Sequence, residues 1–253
     1  MKFGLCTSLE NSALAGRLGF DYLEAPLSAI ASYTDEEFLA IAETIKAGSI
    51  RMERTNLLFP KTMRLIGPES SQKAMDEYLE RAFSRMNVLG ADVAVFGSGR
   101  SRNIPAEYPL HRGYAELIAV LKRTGEIAKA HKIMVAIEAL NRDESNCINS
   151  LREGAVLQAA AACPAVGLLA DLYHILKEGE DINTIKAVKD LSHTHIAVLE
   201  GRAYPLRLDK DIESFFAALR EIGYDGSMSI EGKTENIEQD ASEALALLRS
   251  LAQ

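Results

Sequence analysis

Short apolar, often β-branched runs alternate along this chain with longer stretches whose apolar positions recur every three or four residues. These are the two periods that mark strands and amphipathic helices. The first run covers about 2–7 and is followed by a short helix, which Gly19 ends before a strand at Tyr22-Leu23-Glu24. Thr34 followed by Asp35, Glu36 and Glu37 opens a helix to about Ala47, because a hydroxyl cap and first-turn carboxylates satisfy free N–H groups and the helix dipole. A strand follows at about 50–56. The spacing of Met75, Tyr78, Leu79, Ala82, Met86 and Leu89 predicts a long helix over 69–89, capped by Gly90, and Val93–Phe96 reads as a strand. Beyond a loop from Gly97 to Pro109, a helix runs to about His131, and strands are expected at 133–138, 166–171, through 193–196, and at 227–230. Helices near 150–163, 182–189, 212–222 and 237–251 separate and close them.

Eight strand–helix units in sequence predict an α/β chain folded as a (β/α)8 TIM barrel, a single domain over 1–253. A doubly wound open sheet would call for a glycine-rich phosphate turn after the first strand, and none is present. No Pro/Gly/Ser-rich linker divides the chain.

Charge narrows the partners. The formal net charge is −8 and the Lys and Arg residues are scattered, which argues against a nucleic-acid backbone as ligand. Cys6, Cys147 and Cys163 are odd in number and lack metal-type spacing, as expected of a chain in a reducing compartment. No signal-peptide pattern precedes the first strand, and no apolar run reaches the roughly 18 residues of a membrane span. The expectation is a cytoplasmic protein without membrane or nucleic-acid partners.

The candidate chemistry sits at the last four strand ends, where Glu138, Asp171, His195 and Glu231 each follow a buried run. Taken singly, each has an ordinary reading: a solvated loop residue, a helix cap, a core histidine, a turn opener. Together they fall on the carboxyl face of consecutive units, where barrels of this kind build their active sites. Three oxygen ligands and one nitrogen suit a divalent ion such as Mn²⁺, Mg²⁺ or Co²⁺, with Zn²⁺ a further option. His174 lies one turn past Asp171, Glu144 six residues past Glu138, and Arg202 seven past His195. The segment Gly97-Ser-Gly-Arg100-Ser-Arg102-Asn103 reads either as a nest for a phosphate or carboxylate or as a tight turn with solvated arginines.

At this point the residues carry a likeness. The chain resembles the xylose-isomerase-like barrels of sugar isomerases and epimerases, and among them the ketose 3-epimerases of the tagatose and psicose type. Glu138, Asp171, His195 and Glu231 match in order the Glu, Asp, His, Glu set that binds metal in that family. The stretch IEALNRDE is similar to its Glu-x-x-Asn-Arg-x-Glu segment, DLYH to its Asp-x-x-His element, and HTHIAVLEGR to its His-x-His segment with a following Arg, here one residue further along. The resemblance implies one divalent metal ion and a sugar or sugar-derived substrate. It implies Glu138 and Glu231 as the acid/base pair of proton transfer through an enediolate, substrate contacts from Glu144, His174 and Arg202, and a homo-oligomer, dimer or tetramer. The same cage would equally serve an aldose–ketose or hydroxypyruvate-type isomerase, or a keto-acid or inosose dehydratase. An apurinic endonuclease on this barrel needs more histidines at its strand ends than the chain supplies, and a non-catalytic sugar-binding protein would not need the cage. The absence of Trp sets this chain apart from the epimerases' aromatic sugar pockets.

Overall fold

The computed structural model describes residues 1–252. Eight parallel strands close into a barrel in chain order: β1 (Lys2–Cys6), β2 (Tyr22–Pro26), β3 (Met52–Asn56), β4 (Val93–Phe96), β5 (Met134–Glu138), β6 (Val166–Asp171), β7 (Leu191–Ile196) and β8 (Ser227–Ile230). Each strand pairs with the next, and β8 closes on β1 through Phe3 opposite Met228. The helices are α1 (Ser12–Leu18), α2 (Leu27–Ser32), α3 (Asp35–Ala47), α4 (Gln72–Leu89), α5 (Gly99–Arg102), α6 (Leu110–Ala130), α7 (Leu151–Ala161), α8 (Leu172–Glu178), α9 (Thr184–Val188), α10 (Lys210–Glu221) and α11 (Ile237–Leu251).

The punctuation expected from sequence holds. Thr34 and Glu37 form a reciprocal capping box on α3, and Gly19 and Gly90 end α1 and α4 with φ of 86° and 88°, a region only glycine enters freely. Three short helices differ from the sequence reading. The segment taken as a loop after β4 carries α5, and α2 and α8 each fill the turn directly after a strand. At four to seven residues these are shorter than two helical turns, so no apolar stripe marks them. The expected helix 69–89 starts at Gln72, because Ser71 caps it by accepting from the Ala74 N–H.

Side chains alternate in and out along a strand, and the alternation sorts the barrel interior. On the β4–β6 side Val93, Val95, Ala136 and Leu169 form a small apolar cluster. Across from it the interior is polar, with Tyr22, Glu24, His193, Ser227 and Ser229 all buried. The larger core fills the layer between barrel and helices, where Phe83, Phe215, Phe216, Leu121 and Leu219 are fully buried. Glu138, Asp171, His195 and Glu231 all sit at or next to the carboxyl end of a strand.

Candidate metal centre

Register brings the candidate ligands together. Asp171, the last residue of β6, lies opposite His195 of β7, and β8 places Ile230 opposite Ile196 so that Glu231 emerges beside them. Glu138 ends β5, one strand further round. Donor atoms of Glu138, Asp171, His195 and Glu231 all lie within 4.8 Å of one another. That spread is about the diameter of a coordination shell with bonds of roughly 2.0–2.6 Å. His195 Nδ1 is the common neighbour, at 3.2 Å from Glu138 Oε1, 3.4 Å from Glu231 Oε2 and 3.8 Å from Asp171 Oδ2.

The donors themselves test whether a cation fits. Asp171 caps α8, its Oδ1 accepting from the His174 N–H at 3.3 Å. Its Oδ2 is buried and has no hydrogen-bond partner, a costly state for a carboxylate oxygen. Three carboxylates converging on one nitrogen repel one another, and a bound divalent ion removes both problems. The residues fit such an ion.

The site's charges polarise its members in opposite directions. Burial pushes the Glu138 carboxyl up, and the charge of Glu231 pushes it further. Burial also acts to raise Glu231, but His195, Arg202 and the Asn56 amide overcome it and hold Glu231 well below the usual carboxylate range. For His195 burial opposes the charged form, yet Glu24 and Glu231 win and raise the imidazole well above its ordinary value. The two carboxylates beside His195 Nδ1 therefore differ in their hold on a proton.

Beneath the centre lies a layer that sequence reading did not assign to the site. Glu24 of β2 accepts from both histidines of β7, Oε1 facing His195 Nε2 at 3.0 Å and Oε2 facing His193 Nε2 at 2.8 Å. Ser229 Oγ also donates to Glu24 and pairs with Tyr22 Oη at 2.8 Å. These are hydrogen-bond distances with every partner buried, so Glu24, His193 and His195 form a network and not a second cage. Its effect is on His195. With Nε2–H given to Glu24, the lone pair of Nδ1 is free to face the cation. The signal in the sequence is parity: His193 and His195 are two apart on one strand and so share the barrel's inner face.

The predicted substrate residues also meet. Asn141 donates its backbone N–H to His174 Nδ1 at 3.0 Å, so that nitrogen is the acceptor, and Nε2 lies 3.5 Å from the Arg202 guanidinium and 3.9 Å from Asp171 Oδ2. The Asn141 amide donates to Glu144 Oε1 at 2.8 Å. Arg202 stands in left-handed backbone at φ 53°, its guanidinium over the Tyr173 ring at 4.8 Å. It donates to Glu231 Oε2 at 2.5 Å and to Glu144 Oε1 at 3.3 Å. Glu138, Glu144, Asp171, His174, His195, Arg202 and Glu231 thus share one mouth. Asn56, which donates to Glu231 Oε1 at 2.7 Å, and Cys6 beside it complete the wall from β3 and β1.

Burial removes Arg102 from both readings of the segment after β4, the anion nest and the solvated turn. Of the two arginines in the glycine-rich segment after β4, Arg102 is fully buried, donating to the Phe96 carbonyl at 2.5 Å and the Glu138 carbonyl at 2.9 Å. It clamps the ends of β4 and β5 and is closed to any anion.

Comparison with known proteins agrees with the geometry. The sequence profile described as the xylose isomerase-like TIM barrel matches residues 12–251. A ketose 3-epimerase of Arthrobacter globiformis is 29% identical over 71% of this chain, a stretch that spans 63% of that relative. A D-psicose 3-epimerase of Agrobacterium fabrum is 27% identical over 85% of this chain and 75% of its own length. Among solved structures, D-psicose 3-epimerase with D-tagatose from Clostridium cellulolyticum H10 superposes with a TM-score of 0.86 over 100% of both chains at 19% identity, a likeness of fold. No helix among the described residues is long and apolar enough to cross a membrane.

Proposed function

The chain belongs to the xylose isomerase-like TIM barrel family, and from that premise we propose that it is a divalent-metal-dependent sugar epimerase that inverts C3 of a ketose by proton transfer. The carrying observation is that the carboxylates of Glu138 and Glu231 reach one buried centre, 3.2 and 3.4 Å from the same His195 nitrogen and beside Asp171. Glu138, Asp171, His195 and Glu231 would hold the cation, whose part is Lewis-acid stabilisation of negative charge developing on substrate oxygen.

The chain's own groups supply the rest. Glu231, held ionised by His195, Arg202 and Asn56, removes the C3 proton in one direction. Glu138, whose carboxyl burial pushes up, returns a proton to the opposite face, and the reverse reaction exchanges the roles. His174 Nε2–H and the Arg202 guanidinium donate to the oxygens of the enediolate. Glu144, held by Asn141 and Arg202, accepts from a substrate hydroxyl. Glu24 keeps His195 in the tautomer and orientation that ligation needs.

The test is incubation of a panel of ketoses in deuterated water with Mg²⁺, Mn²⁺ or Co²⁺, read as deuterium at C3 by mass spectrometry after quenching. Exchange is expected with at least one ketose, and E138Q and E231Q should each reduce it by roughly 1,000-fold or more. Exchange that survives either substitution defeats the assigned roles. The product separates rival chemistries on the same centre: an aldose marks isomerisation, and an ultraviolet-absorbing enone marks loss of water.

A further inference from the structure

The cavity that opens beside the centre has a composition the proton-transfer chemistry does not use. It measures about 660 Å³, within the roughly 300–1,000 Å³ of small-molecule pockets. Gly97 joins the two: a Cβ on Gly97 would sit 1.8 Å from Glu138 Oε2, so the cavity floor abuts the acid/base carboxylate. Glu144 is common to cavity and centre. A ketose with its reacting end between Glu138 and Glu231 therefore extends its tail towards the loops after β2, β3 and β4.

That far wall carries Lys61 and Arg100, with hydroxyls from Ser28 and Thr62. The cavity's two carboxylates are already matched, Asp143 by Lys177 at 3.3 Å and Glu144 by Arg202 at 3.3 Å. Lys61 and Arg100 form no ion pair among the described residues, in a chain whose net charge is −8. Their backbones are braced against each other. Ser98 Oγ accepts from the Phe59 N–H at 2.8 Å, Ser101 Oγ donates to the Pro60 carbonyl at 2.9 Å, and Arg64 donates to the Arg100 carbonyl at 2.7 Å. Two cations without counter-ions, mounted on stitched loops at the tail end of a pocket, form a seat for an anion.

We propose that the substrate is a ketose carrying an anionic group at the end remote from its carbonyl, a phosphate monoester or a carboxylate, which Lys61 and Arg100 bind. This deepens the epimerase reading and rests on it for the orientation of the sugar.

The experiment compares a ketohexose, its 6-phosphate and its 6-carboxylate against the metal-loaded protein, by calorimetric affinity and by deuterium exchange at C3. One or both anionic ketoses should bind on the order of 10-fold or more tightly than the neutral sugar, and which of the two does so identifies the group. In the double variant K61Q/R100Q that advantage should vanish, while K61R/R100K, which keeps both charges, should retain most of it. Equal affinity for neutral and anionic ketoses overturns the proposal, as does an advantage undiminished in K61Q/R100Q. Anion-dependent binding that K61Q/R100Q abolishes, without exchange on any ketose, leaves the anion seat standing and sinks the epimerase reading instead.

Discussion

The two halves of the barrel mouth are built on different physical terms. The half after β5–β8 is a rigid, buried cage in which Asp171 and His195 are nearly inaccessible and each donor is fixed by a cap or a hydrogen bond. The half after β1–β4 gives only Cys6, Asn56 and Glu24 to the centre and otherwise lines an open cavity with exposed cations and hydroxyls. Chemistry of fixed geometry needs the first kind of construction. Recognition of a variable tail suits the second, since loops can be exchanged without moving the cage. If the division is real, substitutions in the first half should act on metal affinity and turnover, and those in the second on the choice of substrate.

Gly97 stands on the seam, and its substitution should be the most damaging short of removing an acid/base carboxylate. In G97A the new methyl would meet Glu138 Oε2 at 1.8 Å and Cδ at 3.0 Å, so the Glu138 carboxylate must swing away from the place it shares with His195. Misplacement of a reacting group by about 1 Å costs on the order of 100-fold. Exchange at C3 should fall by at least that much while the thermal unfolding midpoint changes little. Near-wild-type turnover in G97A would show that Glu138 is not held where the cage requires it.

E24Q probes the layer beneath the cage. The amide keeps the shape but removes the charge that faces both imidazoles, so His195 loses its orientation and part of its basicity. Outer-sphere partners of metal-bound histidines are worth roughly 10- to 100-fold in affinity. The dissociation constant for Mn²⁺, measured by calorimetry, should rise by that factor, and KM for the sugar at saturating metal should stay close to wild type. An unchanged metal affinity would reduce Glu24 to packing.

How far these features were legible in the sequence follows from which interactions are local. Strand and helix periods, the Thr34 capping box and the glycine caps at Gly19 and Gly90 are set by neighbours within a turn, and they were readable. The meeting of Glu138, Asp171, His195 and Glu231 was readable because barrel topology converts strand order into spatial order: a residue at one strand end must neighbour those at the next. Glu24 escaped because its partners lie 169 and 171 residues away, and nothing local distinguishes it from a solvated strand-end glutamate. Arg102 was read as either an anion contact or a solvated turn residue, and its burial escaped both readings for a related reason. Its partners are backbone carbonyls, which carry no sequence signature. The short α2 and α8 were invisible because helices of six and seven residues have no room for periodicity.

Proton release offers a smaller but stoichiometric test of the cage. Without metal, Glu24 and Glu231 raise the His195 pKa well above its ordinary value, so the proton on Nδ1 occupies the ligand position. Ligation must expel it. The sign is fixed: protons compete with metal as pH falls, so affinity should strengthen about 10-fold per pH unit upward from neutrality until His195 deprotonates in the metal-free protein. Stability runs the other way. A raised folded-state pKa contributes stability that is fully present below about pH 6.5 and is lost as pH rises through the folded value, so the metal-free protein should weaken at alkaline pH as metal binding tightens. Calorimetry in buffers of different ionisation enthalpy should count about one proton released per ion. A count near zero would mean that His195 is already neutral and that the carboxylates alone attract the metal.

Salt should separate the two halves with the gentlest perturbation. Lys61 and Arg100 are exposed on the cavity wall, and interactions of exposed charges are screened as the Debye length falls from about 10 Å at 0.1 M to about 3 Å at 1 M salt. The cage is buried, its charges meet at hydrogen-bond distances, and added ions do not come between them. Raising the ionic strength over that range should therefore shrink the preference for an anionic over a neutral ketose by a few-fold. Exchange at C3 of the neutral sugar at saturating metal should hardly move. Equal salt sensitivity of the two rates would place the cations in the same electrostatic unit as the cage, and the division of the mouth into a chemical half and a recognition half would fail.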